Sequence, residues 1–433
     1  MLLPGVVAVS TTLAASERTL SFPVNAHHNR SQMTDRPRER TAPTRKGDQP
    51  APVKADDAAA PEVIPVMRPQ LPQAEKLLPY LRRIDATRLY SNYGPLVQEL
   101  ESRLSRHFGL PAGGAVSAST GTAALMGAIL AAAGRATPER PFALMPAFTF
   151  VATAVAAEQC GYDPYLADID ADTLTLDAER LLAHPALDRL GVVVPVAPFG
   201  RAVPQAPWRA FRDRTGIPVV IDGAASFESV SEASERYLGA IPVMMSFHAT
   251  KSFATGEGGG VLSADVEFAA RTAQALNFGF HLSRDTRMAS TNGKMSEFHA
   301  AVGLAELDDW NAKRSAFRAV ADHYRRELDQ VGLADRFLAA PDICSSYVLF
   351  RCRSRAESVR VQDSLRRNGA DFRFWYGAGL QHQTYFSGCR RADLAVTESI
   401  APRLLGLPMA PDMTEASVTR IVHALAGAVE PGK

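Results

Sequence analysis

Pro218-Val219-Val220-Ile221-Asp222-Gly223-Ala224-Ala225-Ser226 is a short Val/Ile run that closes on a carboxylate and then on small, turn-forming residues. Such a run reads as a buried strand. Before it, residues 204–216 (PQAPWRAFRDRTG) read as a helix, and residues 191–200 (GVVVPVAPFG) as a second strand. Strand, helix and strand in sequence predict a mostly parallel sheet covered by helices on both faces. Upstream of these, residues 142–146 and 163–169 read as further strands. Residues 122–134 and 150–161 read as helices. Residues 96–109 place Leu96, Leu100, Leu104 and Phe108 on one helical face, and residues 71–84 share that period. In sheets of this kind ligands collect beyond the carboxyl ends of the strands, so the chemistry is sought there.

After Asn311 the pattern changes. Residues 314–332 read as a long amphipathic helix, 345–354 as a strand, 358–369 and 415–430 as helices. This predicts a smaller C-terminal α/β domain at 311–433, a large domain at 66–310 and a tail at 1–65. Between Arg30 and Lys54 the tail holds seven basic and three acidic residues and almost no large apolar side chains. Such a segment buries too little surface to offset its chain entropy, so it is expected to be disordered and is assigned no function.

The chain has 433 residues, too many for one ordinary core. Its 47 basic and 46 acidic residues leave a formal charge of +1, without the field that non-specific nucleic-acid binding needs. No run of about 20 apolar residues suggests a membrane span. The apolar first residues lack a basic flank and make a poor signal peptide. Cys160, Cys344, Cys352 and Cys389 form no C-x-x-C pair, so a zinc ribbon is not expected; a reducing cytoplasm is.

Four segments fall at strand ends or helix starts. Ser119-Thr120-Gly121-Thr122 opens a helix with small residues and hydroxyls, an anion cup suited to a phosphate monoester; plain capping is the commoner use. Asp222 follows a buried strand among small residues that leave room for a flat ligand, or it caps the next helix. Lys251, in Ser246-Phe247-His248-Ala249-Thr250-Lys251, has no charged neighbour in sequence until Glu257. A lysine so placed can lose its proton and act as an amine nucleophile. Neither the phosphate-loop nor the Rossmann glycine spacing is present. His248 is read as a packed core histidine. Phe148-Thr149-Phe150 offers an aromatic ring for stacking, or for the core. Together a phosphate cup, a carboxylate, a stacking ring and an amine are the inventory of an aromatic phosphate cofactor such as pyridoxal 5′-phosphate (PLP).

From Tyr90 to about Trp310 the chain resembles the DegT/StrS sugar aminotransferases, which are fold-type-I PLP enzymes. The matching pieces are Asn92-Tyr93-Gly94-Pro95, Thr120-Gly121-Thr122-Ala123-Ala124-Leu125, Pro146-Ala147-Phe148-Thr149-Phe150, Asp222-Gly223-Ala224, Ser246 to Lys251, Gly256-Glu257-Gly258-Gly259 and Asn292-Gly293-Lys294-Met295-Ser296-Glu297. The resemblance implies that Lys251 is the Schiff-base lysine and Asp222 the partner of the pyridine nitrogen. It implies that Gly121, Thr122 and Ser246 hold the phosphate and that Phe150 lies over the ring. Asn292 and Lys294 fall in the segment that reaches the neighbouring subunit's cofactor in the family, which implies a homodimer with shared sites. The implied reaction moves an amino group, from glutamate, to a nucleotide-linked keto-sugar in amino-sugar and polysaccharide biosynthesis. Arg373-Phe374-Trp375-Tyr376 and Gln381-His382-Gln383 lie in the C-terminal domain, where family members hold the sugar nucleotide; ordinary packing of that domain is the alternative use.

Two positions depart from the family pattern. Ala225 stands where Gln or His commonly touches the ring hydroxyl. Lys294 stands in place of an Arg, which weakens a bidentate phosphate contact. Two other classes remain open: another PLP reaction on this scaffold, dehydration or epimerisation, and a non-catalytic regulator. Lys251 and Asp222 argue against the regulator.

Overall fold

Eleven short strands and the helices between them are described by the computed structural model over residues 63–281, 283–339 and 345–429. The strands are β1 (Ala115–Ala118), β2 (Phe142–Pro146), β3 (Asp163–Ala167), β4 (Leu190–Val193), β5 (Ile221–Asp222), β6 (Val243–Ser246), β7 (Gly259–Leu262), β8 (Phe337–Leu338), β9 (Leu349–Arg351), β10 (Arg390–Arg391) and β11 (Leu404–Gly406). Two four-stranded ladders, β1-β7-β6-β5 and β10-β3-β2-β4, are joined by parallel bridges from Val193 to Val219 and from Val196 to Asp222. β7 runs antiparallel to β1 and β6, and the remaining pairs are parallel.

The runs expected as strands at 191–200 and 218–226 are therefore real but shorter. Pro195 and Pro218 have no N–H to give to a ladder, so the pairing there falls to their carbonyls. The N–H of Asp222 donates to the Pro195 carbonyl at 2.8 Å, and that of Val193 to the Pro218 carbonyl at 2.9 Å. Alternate strand residues point to opposite faces. Leu144, Val193, Ile221 and Met245 join a core with the helices Pro95–His107, Gln205–Thr215 and the start of Glu297–Gln330. Ala143, Met145, Val192, Val220 and Met244 join a second core with the helices Gly121–Ala133, Val151–Gln159 and Val266–Ala275. Helices thus cover both faces of a mostly parallel sheet, as expected.

The helix Glu297–Gln330 has 34 residues and crosses position 310, where the sequence suggests a domain boundary. Trp310 packs in the large-sheet core; Phe317, Val320 and Tyr324 pack in another, with the helices Arg355–Arg367 and Glu415–Ala426. There β11-β9-β8 form an antiparallel sheet. Its short outer strands end the ladder at β9, so the expected strand at 345–354 narrows to three residues. Nearby, Arg336 and Glu357 make a buried, two-pronged ion pair.

Two quoted motifs meet at the head of the helix Pro95–His107. Both oxygens of the Glu297 carboxylate accept from its first N–H groups, those of Leu96 and Val97, at 2.9 and 2.8 Å. A Cβ on Gly94 would lie 2.6 Å from that carboxyl carbon, so the position has no room for a side chain. The expected tail lies outside the described residues except for positions 63–65, where Ile64 pairs with Ala370. The first residues of the chain and Cys344 also lie outside them.

Candidate active site

The parallel strands deliver their carboxyl ends to one cavity of about 600 Å³. Of the residues implied by the sequence, Gly121, Thr122, Phe150, Asp222, Ser246 and Lys251 all line it. Thr120–Thr122 follow β1, Phe150 follows β2, Asp222 ends β5, Ser246 ends β6, and Lys251 sits in the turn between β6 and β7.

At the phosphate-cup position, Thr120 caps the helix Gly121–Ala133, its hydroxyl oxygen accepting from the Ala123 N–H at 3.0 Å. The capping reading and the anion-cup reading are compatible, because one cap satisfies only part of the N–H set that a helix start leaves without intrahelical partners. A Cβ on Gly121 would lie 2.8 Å from Ser246 Cβ, so backbone and hydroxyl approach closely here.

Asp222 is 4% exposed. The Thr153 hydroxyl donates to Oδ2 at 2.7 Å, and the Ala224 N–H to Oδ1 at 3.1 Å. Thr149 and Thr153 hydroxyls lie 2.9 Å apart and continue the chain. Burial pushes the Asp222 carboxyl above its ordinary range, while Thr153, Ala224 and the Lys251 charge oppose the rise. A carboxylate held so, by donors and a cation in a dry site, can hold a proton on a ring nitrogen.

The Lys251 turn is tied down by its own backbone. The Phe247 N–H donates to Gly258, that of Ala249 to Gly256, and that of Lys251 to His248. Gly256 has φ +86°, a left-handed conformation that glycine adopts without strain. His248 corrects the sequence reading. Instead of packing in the core, its side chain is 46% exposed and lines the cavity, with Nδ1 2.8 Å from the Thr250 hydroxyl and Nε2 3.8 Å from Glu257. Phe150 is 59% exposed on the cavity wall, whereas Phe148 is the core aromatic.

Arg373, Trp375 and Tyr376 also line the cavity; Gln381, His382 and Gln383 do not. Asn292 and Lys294 stand outside it. Lys294 Nζ donates to Asn292 Oδ1 at 2.6 Å and lies 4.4 Å from the Phe278 ring centre. Ala225 faces a cluster of Phe148, Phe199, Trp375, Tyr347 and Tyr376. Sequence reasoning missed Tyr347, whose hydroxyl is 3.3 Å from Lys251 Nζ. It stands 96 positions from the lysine, and no local pattern marks it.

Among the described residues no cluster of His, Cys, Asp and Glu could hold a metal, and no helix is long and apolar enough to cross a membrane. The lining instead fits a planar, phosphorylated aldehyde: a helix N-terminus with a glycine cradle, a buried carboxylate, an aromatic wall and an amine.

Residues 73–426 match the DegT/DnrJ/EryC1/StrS aminotransferase family. The chain is 32% identical over 371 residues to Protein Rv3402c of Mycobacterium tuberculosis, covering 84% of this chain and 89% of that one. It is 29% identical over 334 residues to the UDP-2-acetamido-2-deoxy-3-oxo-D-glucuronate aminotransferase of Pseudomonas aeruginosa, covering 77% and 90%. The crystal structure of a candidate PLP-dependent aminotransferase from Bacillus cereus superposes with a TM-score of 0.78 at 30% identity, over 84% of this chain and all of that one. With residues 73–426, most of the chain, matched by the family pattern, the chain belongs to the DegT/DnrJ/EryC1/StrS aminotransferase family.

Proposed function

We propose that this PLP-dependent sugar aminotransferase transfers an amino group from glutamate to a keto-sugar linked to a nucleotide. The observation that carries the reading is the convergence of Lys251, Asp222 and the Gly121–Ser246 cradle on one cavity. PLP, when bound, supplies an electron sink for negative charge at the donor carbon. Lys251 would hold the cofactor covalently and, once released, carry a proton to and from the reacting carbon, a general acid–base task typically worth about 10²–10⁴-fold. Asp222 would keep the ring nitrogen protonated. Gly121, Thr122 and Ser246 would hold the phosphate, and Phe150 would cover the ring.

The nucleotide-sugar acceptor is supported by the activity named for the Pseudomonas aeruginosa relative. Arg373 and Trp375 at the cavity wall suit such a ligand, since a guanidinium pairs with phosphate and an indole stacks on a base or sugar. Asn292 and Lys294 are proposed to serve the cavity of a second copy. The large exposed side chains nearby favour an interface: Tyr90 stacks on Phe298 at 6.1 Å, and Phe278 lies against Lys294.

Borohydride reduction of the PLP-loaded protein should fix the cofactor to Lys251, read by peptide mapping. Adding glutamate first should convert the bound cofactor to its amine form, seen as a change in absorbance, and protect Lys251 from labelling. Lys251→Ala should lose both responses and all turnover. A label on another side chain would sink the assignment.

A further inference from the structure

Among the described residues, Lys251 Nζ makes one hydrogen bond, to the Tyr347 hydroxyl at 3.3 Å. Tyr347 is 6% exposed and lies just before β9, in the C-terminal part of the chain. Its ring is fixed by neighbours: Trp375 meets it edge-on at 5.2 Å and Phe199 lies 6.3 Å away. Phe199 is itself stacked on Tyr376 at 4.7 Å, and the Tyr376 hydroxyl oxygen accepts from the Phe199 N–H at 3.2 Å. The small side chain of Ala225 packs against this aromatic group.

A lysine stem is flexible, and holding its amine in one place costs rotamer entropy. A hydroxyl that cannot move lowers the number of places the amine visits. We propose that Tyr347 is a positioning residue for Lys251: its hydroxyl oxygen accepts from Nζ and fixes the amine at one place in the cavity. The inference rests on the reading of Lys251 as the reactive amine. It assigns a role that neither Lys251 nor Asp222 supplies, and it recruits the C-terminal part of the chain to the reacting group.

Tyr347→Phe keeps the ring and removes the acceptor. In the cofactor-free protein, the rate at which a trace acylating reagent labels Lys251 at one fixed pH can be followed by peptide mass spectrometry. The rate should rise about threefold or more in the variant, since the amine is no longer held by the hydroxyl. With cofactor restored, kcat should fall about tenfold while KM for glutamate stays within about twofold, the signature of a group that acts on the chemical step. An unchanged labelling rate would overturn the proposal whatever happens to kcat, since loose packing alone lowers turnover. Borohydride labelling of wild-type protein separates the two readings. A label away from Lys251 would remove its catalytic role, while a changed acylation rate would still report the Tyr347–Lys251 pair.

Discussion

At Gly121 the cavity has no space for a methyl group. A Cβ there would lie 2.8 Å from Ser246 Cβ and 3.2 Å from Ser246 Cα, and backbone cannot swing aside as a side-chain tip can. Gly121→Ala should therefore push the helix start away from β6 and open the phosphate cup. Forced contacts of this kind cost about 1–3 kcal/mol. The expected result is PLP affinity weakened by about tenfold or more, measured by titrating cofactor into the cofactor-free variant, with the circular dichroism of the fold retained. Affinity within twofold of wild type would remove Gly121 from the phosphate site. The glycine was legible in the sequence because it sits in an ordered motif. His248 was misread because a residue's neighbours in sequence do not say whether its side chain turns toward the core or the cavity. Tyr347 was invisible for a related reason: only the folded chain brings it to the lysine.

Elements carry a second kind of information, in how they meet. Glu101 lies on the helix Pro95–His107 and reaches β1, where the Ser117 N–H and hydroxyl donate to Oε1 at 2.8 and 2.7 Å. Burial pushes this carboxyl up to about 7, against the two Ser117 hydrogen bonds, which lower it. In the unfolded chain it titrates near its ordinary value, so between about pH 4.5 and 7 the folded protein binds more protons than the unfolded one. Stability from this group is thus fully present at the acid end and is lost as pH rises through 7. A difference of about 2.5 in pKa corresponds to about 3 kcal/mol. Glu101→Gln cannot ionise and should escape the loss. Its stability relative to wild type, from urea unfolding, should rise by about 3 kcal/mol from pH 4.5 to 8. A flat difference would show that Glu101 is solvated. The helix itself was legible from Leu96, Leu100, Leu104 and Phe108, all buried as its period demands. The short strands were less legible at their ends, because Pro195 and Pro218 interrupt the ladder inside runs that otherwise read as continuous. The crossing of β10 onto β3 had no sequence signal, since two exposed arginines do not look like a strand.

For the molecule as a whole, the open matter is where Asn292 and Lys294 act. The alternation of strands and helices made the architecture readable, but two residues to which the resemblance assigns a role stand outside the cavity of their own chain. Burial lowers the Lys294 ammonium from its ordinary value, so its charge is already partly disfavoured and gains from an anionic partner. A second copy supplies one if each chain lends Asn292 and Lys294 to the other's phosphate. Symmetry then makes a definite demand, because every cavity needs residues from two chains. Lys251→Ala alone should be inactive, and the double variant Asn292→Ala, Lys294→Ala should be strongly impaired through weak cofactor binding. Co-expressed in equal amounts with separate tags, the two chains should form a mixed dimer with one cavity doubly damaged and the other intact. About half the dimers are then mixed, each with one good site of two, so about a quarter of the wild-type sites should return. Activity in the purified mixed dimer is the decisive reading. If it shows none while the wild-type dimer is active, each chain completes its own cavity, and Asn292 and Lys294 serve the fold rather than a neighbour's cofactor.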